Sequence, residues 1–121
     1  MGQKHERLRE EHHLLFQEAF PDSRIFVRQV GKYYLPSGGM IKVGKDGQGD
    51  SWAIIKIKKF LIHVEFEYKI GKDIQSTDQK NWQREVESLN GIYHLVKDEP
   101  TASIALLKTQ IKELEECLNI F

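Results

Sequence analysis

Two carboxylates and an amine stand close together in the middle of the chain. Asp50 ends a glycine-rich segment, and Glu67 and Lys69 are separated by a single residue. Because side chains alternate between the faces of a strand, Glu67 and Lys69 would share one face. Carboxylates can hold a hard divalent cation, and the cation and amine together can stabilise a phosphate under attack. The pattern favours metal-dependent phosphodiester hydrolysis, although a Glu-x-Lys pair alone is more typical of an exposed strand.

The strand that carries this pair is predicted to have one apolar face. In residues 60–70 a polar set alternates with an apolar set, and the polar set contains His63, Glu65, Glu67 and Lys69. The apolar set is expected to be buried, and it comprises Phe60, Ile62, Val64, Phe66, Tyr68 and Ile70. We expect Asp50, Glu67 and the main-chain carbonyl of Tyr68 to supply the metal ligands.

Periodicity and turn residues predict the elements that position this group. The expected order is a helix at 7–20, a strand at 24–30, short strand pieces at 33–35 and 40–43, strands at 52–58 and 60–70, a helix at 76–89, a strand at 92–96 and a last helix after Pro100. Ser76 and Gln79 form a capping box. The strand–helix–strand unit implies a parallel pair. The sequence therefore predicts an α/β fold with a small mixed β-sheet flanked by helices.

Composition limits the class of protein. The chain has 121 residues, which suits a single domain over 1–121, and its net charge is zero. Between residues 24 and 80 there are 11 lysines and arginines against 6 acids, so a positive surface is expected there. No apolar run approaches the roughly 20 residues that cross a membrane, and the polar N-terminus is unlike a signal peptide. One cysteine excludes an internal disulfide, so a cytoplasmic location is expected.

These motifs, taken in order, resemble the VRR-NUC branch of the PD-(D/E)xK nuclease superfamily. The matching segments are FVRQVG at 26–31, GKDGQGD at 44–50, the Glu-Tyr-Lys strand, and the Ser-x-x-Gln helix start. The resemblance covers about residues 10–96. It departs from the family pattern after Asp50, where Ser51 and Trp52 replace the usual aliphatic residue, so Asp46 is kept as an alternative to Asp50.

The resemblance implies a restriction-endonuclease-like core and Mg²⁺- or Mn²⁺-dependent cleavage of DNA. By position, the implied catalytic residues are Asp50, Glu67, Lys69, Gln79 and a glutamate on the first helix, for which Glu11 is preferred over Glu10. Stand-alone members from phages and bacteria are similar to Holliday junction resolvases, which implies a homodimer acting on branched DNA. The alternative is a catalytically silent DNA- or protein-binding module on the same fold.

Several residues keep two interpretations. Lys72, Lys58 and Arg28 are the expected DNA contacts, with Arg28 otherwise a surface strand residue. Glu65 would bind a second metal or face solvent, and His63 would relay a proton or be solvated. His12 and His13 are interpreted as helix surface.

The last helix carries an apolar seam that comprises Ile104, Leu107, Ile111, Leu114, Leu118 and Phe121. Its first half would pack on the protein's own sheet, and its second half, from Leu114 to Phe121, would form the dimer interface.

Overall fold

Alternating apolar residues form the strands, and longer amphipathic segments form the helices that cover them. The computed structural model describes residues 2–29 and 31–119. Its elements are α1 (Gln3–Ala19), β1 (Arg24–Val27), β2 (Gly31–Tyr34), β3 (Met40–Val43), β4 (Ser51–Ile57), β5 (Phe60–Lys69), α2 (Thr77–Ser88), β6 (Ile92–Lys97) and α3 (Thr101–Leu118). The predicted order is confirmed, and α1 begins four residues earlier than expected.

The main sheet has four strands in the order β1-β4-β5-β6. The pairs β1–β4 and β4–β5 are antiparallel, while β5 and β6 are parallel and are joined through α2. The predicted mixed sheet and its parallel pair are therefore confirmed. β5 has a partner on both sides, so the strand that carries Glu67 and Lys69 is held at the centre of the sheet.

Helices α1 and α3 cover the apolar face of β5. Val64, Phe66 and Tyr68 are fully buried on this face and join one core with residues of α1, β4, β6 and α3. Burial was also expected at Phe60, and this is wrong, because Phe60 lies at the β4–β5 turn and is 55 % exposed. The buried half of β5 is therefore the half that contains the site.

The apolar seam of α3 packs on the protein's own core. Ile104, Leu107 and Ile111 are buried, and Leu114 and Leu118 are partly buried against the same cluster. The expectation that the second half of α3 overhangs the sheet is therefore wrong for Leu114 and Leu118. Phe121 lies outside the described residues.

No helix in the described part of the chain combines the length and the apolar composition needed to cross a membrane.

Strands β2 and β3 form a separate two-stranded hairpin. Its apolar side chains are exposed, namely Tyr33, Tyr34, Met40, Ile41 and Val43. Isolated hairpins of this size are marginally stable in water. The hairpin is therefore the least supported part of the fold, and it connects β1 to the glycine-rich segment before Asp50.

A chain of hydrogen bonds crosses the core beneath the sheet. The side-chain oxygen Oε1 of Gln110 can only accept a hydrogen bond, so His94 donates to it through Nε2–H at 2.6 Å. The other ring nitrogen of His94, Nδ1, then accepts from the Ser103 hydroxyl at 2.7 Å. Ser103 in turn accepts from His12 Nε2–H (3.1 Å), and His12 Nδ1 accepts from the Tyr68 hydroxyl (2.9 Å). The interpretation of His12 as helix surface is wrong, because it is fully buried and satisfied by this chain.

We expect this network to make the protein sensitive to acid. Burial lowers the pKa of His12 from 6.5 to about 3. Between these two pH values the His12 ring is therefore neutral in the folded protein and protonated in the unfolded protein. The stabilisation is complete above pH 6.5 and is lost as the pH falls towards 3. Urea denaturation of wild type and His12→Gln between pH 7 and 4.5 measures this. As the pH falls below 6.5, the free energy of unfolding of the wild type should decrease more steeply than that of His12→Gln. The difference between the two slopes should be up to about 1.4 kcal/mol per pH unit.

Parallel stability curves for the two proteins would show that His12 carries no part of the acid sensitivity.

Candidate active site

Glycines allow the segment before Asp50 to lie directly against the sheet and α2. At Gly49, a Cβ would lie 2.7 Å from the main-chain oxygen of Phe66, and at Gly47, where φ is +85°, it would overlap the backbone of Asp78. No side chain fits at either position. The close approach brings Asp50 to the start of β4, beside the end of β5.

Asp50 is held by the backbone of β5. Its Oδ2 accepts the Tyr68 main-chain N–H at 3.0 Å, and its side chain keeps 21 % of its exposure. The alternative, Asp46, is exposed and lies 3.0 Å from Lys42 Nζ. The geometry therefore favours Asp50 over Asp46 as the carboxylate beside Glu67.

Glu67 is a buried carboxylate with one unsatisfied oxygen. Its Oε1 accepts Gln79 Nε2–H at 2.8 Å and lies 3.6 Å from Lys69 Nζ. Its Oε2 is buried and has no hydrogen-bond partner among the described residues. Burial, and then the negative charge of Asp50, raise the pKa of Glu67 above its usual range against the opposing effect of Lys69. Asp50 and Glu67 thus lie close together, and the positive charge of Lys69 does not fully compensate their two negative charges.

Gln79 both completes the capping box of α2 and contacts Glu67. Its side-chain oxygen accepts the Ser76 N–H at 2.8 Å, and its main-chain N–H donates to the Ser76 hydroxyl at 3.1 Å, which completes the predicted capping box. The same side chain donates through Nε2 to Glu67. The start of α2 therefore fixes the orientation of Glu67.

Glu65 lies on the same face of β5 but takes neither of the roles expected for it. It is fully buried, with Arg28 Nη2 donating to Oε2 at 2.7 Å and Trp82 Nε1 donating to Oε1 at 2.9 Å. Arg28 Nη1 and His63 Nε2 also contact it. Burial raises the pKa of Glu65, but these bonds outweigh it and lower that pKa to about 2. Both expectations, a second metal and a solvent-facing carboxylate, are wrong.

The three residues expected to bind DNA lie in different places. Arg28 is neither a free phosphate contact nor a surface residue, since its guanidinium pairs with Glu65 and donates to Gly49 O at 3.2 Å. Lys72 is exposed on the turn after β5, at the site end of the sheet. Lys58 is exposed at the β4–β5 turn, roughly 25 Å away along the strands, where it bonds Asn119. Of these three residues, only Lys72 is exposed at the end of the sheet that carries Asp50 and Glu67.

The residue of α1 at the site is a histidine rather than a glutamate. Glu10 and Glu11 are exposed, so the expectation that Glu11 faces the sheet is wrong. His5 lies there instead, with Nε2 at 2.9 Å from Tyr68 O and 3.3 Å from Asp50 Oδ2. Sequence reasoning missed His5 because the predicted helix began at residue 7. A helix extended through the polar residues just before residue 7 would have included His5.

The residues present fit a hard divalent cation in part. Within residues 2–29 and 31–119, no cluster of three or more histidine, cysteine, aspartate or glutamate side chains is arranged to hold a metal ion. Cations such as Mg²⁺ keep several waters and need only one or two carboxylates. The unpartnered Glu67 Oε2, the adjacent Asp50 and the Tyr68 carbonyl provide such a set of oxygens. The donor chemistry thus suits Mg²⁺ or Mn²⁺.

Comparisons with known proteins add no relative. No protein-family model matches the chain, and neither the curated proteins nor the solved structures contain a significant match.

The close approach at Gly49 gives a test of how the site is positioned. Gly49→Ala forces a methyl group against the Phe66 main-chain oxygen, so we expect the free energy of unfolding to fall by about 1–3 kcal/mol. Gly39→Ala is the matched control, because its Cβ would lie 3.4 Å from Leu35 Cδ1, and its cost should stay within about 0.5 kcal/mol. Urea denaturation compares the two. Equal stability would mean that the segment tolerates a shift at Gly49.

Proposed function

We propose that this protein is a divalent-cation-dependent endonuclease that hydrolyses phosphodiester bonds in DNA, and that its fold is of the restriction-endonuclease type. The observation that carries the proposal is the meeting of Asp50, Glu67, Lys69 and Gln79 at the adjoining ends of β4, β5 and α2. The preference for DNA, and for branched DNA in particular, comes from the resemblance to VRR-NUC nucleases.

Each residue has a distinct role in this proposal. Asp50, Glu67 and the Tyr68 carbonyl would hold Mg²⁺ or Mn²⁺, which supplies charge stabilisation and an acidified water when bound. Lys69, at 3.6 Å from Glu67 Oε1, is placed to orient the attacking water or to neutralise charge on the phosphate. Gln79 keeps Glu67 Oε1 occupied, so that Oε2 is left to face the cation.

A homodimer stays part of the proposal, because two matched cuts in a two-fold substrate need two sites. Since Leu114 and Leu118 pack on the protein's own core, their part of α3 is not free for the interface expected there. The catalytically silent binding module remains the alternative, and it differs from the proposal in requiring no cation.

Removing the carboxylate charge of Glu67, or the amine of Lys69, should slow cleavage strongly. Glu67→Gln keeps the size of the side chain but removes its negative charge, and Lys69→Ala removes the amine. In each variant we expect cleavage of a four-way junction with Mg²⁺ or Mn²⁺ to slow by about 10²–10³-fold, as when one group stabilising transition-state charge is lost. Lys69→Ala should still bind the cation in calorimetry.

The matched control is Glu87→Gln, which removes a carboxylate from an exposed position of α2 and should leave cleavage unchanged. Wild-type rates in Glu67→Gln would refute the assignment of the site. A wild type that binds junctions equally in EDTA and Mg²⁺ but cuts none would support the silent module.

Salt dependence should separate the two exposed lysines. In EDTA, DNA affinity should fall as salt rises, and Lys72→Ala should reduce the slope of log K against log salt by about 1. Lys58→Ala is the control of identical chemistry at the far end of the sheet, and its slope should match the wild type. Fluorescence anisotropy with a labelled junction measures both. A greater loss in Lys58→Ala would mean that DNA crosses the opposite end.

A further inference from the structure

His5 stands in direct contact with two of the oxygens assigned to the cation. Its Nε2 lies 2.9 Å from Tyr68 O and 3.3 Å from Asp50 Oδ2, while the side chain is 12 % exposed. The ring is further packed edge-on against the Tyr68 ring, with centroids 6.1 Å apart. The position of Nε2 is therefore set by the same residue that offers its carbonyl to the site.

The spacing of these atoms matches one side of an octahedral cation site. Neighbouring ligands of an ion with bonds of about 2.1 Å are separated by about 3.0 Å, the square root of two times the bond length. The separations of 2.9 and 3.3 Å at Nε2 lie on either side of that value. Both separations at Nε2 are therefore compatible with neighbouring ligands of one ion.

The protonation pattern of the ring permits such an arrangement. Without a cation, the Tyr68 carbonyl can only accept, so Nε2 carries the proton that points at it. Nδ1 of His5 is buried and has no partner in the part of the chain that the structure describes. Because Nδ1 has no acceptor in the described residues, no hydrogen bond at that nitrogen determines which tautomer the ring adopts. An imidazole that binds a cation through Nε2 carries its proton on Nδ1, and the open Nδ1 of His5 is compatible with that arrangement.

We propose that His5 is the nitrogen ligand of this site and makes it select a first-row transition cation such as Mn²⁺ over Mg²⁺. This inference rests on the proposed function, because it uses the same cation site. Mg²⁺ prefers oxygen ligands, whereas imidazole raises the affinity for transition metals. A site that adds one imidazole to carboxylate and carbonyl oxygens therefore discriminates between cations that oxygen ligands alone would bind similarly.

The experiment is a cation-binding measurement that needs no DNA. Isothermal titration calorimetry with Mn²⁺ and with Mg²⁺ should show the wild type binding Mn²⁺ at least about tenfold tighter. His5→Gln should lose most of that preference and retain its Mg²⁺ affinity. His13→Gln is the matched control, because His13 is on the same helix but bonds the Ser51 hydroxyl at 2.7 Å, and it should keep the preference.

A spectroscopic measurement on the wild type makes the test independent of any variant's folding. Pulsed electron paramagnetic resonance of the Mn²⁺-loaded protein should show a directly coordinated ¹⁴N nucleus, and His5→Gln should lack it. Absence of ¹⁴N coupling in the wild type, or an unchanged Mn²⁺ preference in His5→Gln, overturns the inference.

The same measurements separate this inference from the proposed function. A protein that binds Mn²⁺ through ¹⁴N, loses the ion in Asp50→Asn and yet cuts no DNA would support His5 as a ligand and refute the nuclease. A protein whose DNA cleavage depends on Glu67 but whose bound Mn²⁺ shows no ¹⁴N coupling would support the nuclease and refute His5 as a ligand.

Discussion

A fully buried carboxylate, Glu65, constrains the parts of the molecule that meet at the site. Burying an ionised group away from water costs several kcal/mol unless charged and polar partners surround it. Glu65 obtains them from Arg28 after β1, His63 on β5 and Trp82 on α2. Three separate elements must therefore come together before this charge is tolerated, and their meeting also brings α2 to β5.

The neighbouring carboxylate is treated in the opposite way. Glu67 has similar burial but receives one amide and a more distant amine, and one of its oxygens has no partner in the described chain. Two glutamates on the same face of β5, two residues apart, thus differ in how fully their oxygens are hydrogen-bonded. The structure satisfies Glu65 and leaves Glu67 unsatisfied, which is the difference expected between a structural ion pair and a site that takes a ligand.

The sequence predicted most of the fold because each element carries a local signal. The strand at residues 60–69, the Ser76–Gln79 capping box and the strand–helix–strand unit depend on neighbouring residues only, and all three are confirmed. The alternation expected within β5 does not appear in its burial, because Glu65 and Glu67 are buried as well as the apolar residues between and beside them. Asp50, Glu67, Lys69 and Gln79 also lie together, as the resemblance implied. Their roles in catalysis remain predictions.

The remaining features depend on contacts between distant residues. The pairing of Arg28 with Glu65 spans 37 positions, and the bond between His12 and Ser103 spans 91. No periodicity distinguishes a histidine inside a buried chain of hydrogen bonds from one that faces water. His5 was missed for a related reason, since its value depends on the Tyr68 carbonyl, 63 residues away.

Tyr68 belongs to both the core and the site, and this has a consequence for how the molecule can change. Its N–H and carbonyl hold Asp50 and His5, while its hydroxyl begins the chain of hydrogen bonds through His12. Reactive groups need to be placed within about 0.5 Å to work. Here that accuracy is inherited from a close-packed interior, so the site is preorganised by the packing beneath it. Substitutions that loosen this interior would therefore also disturb the placement of Asp50 and His5.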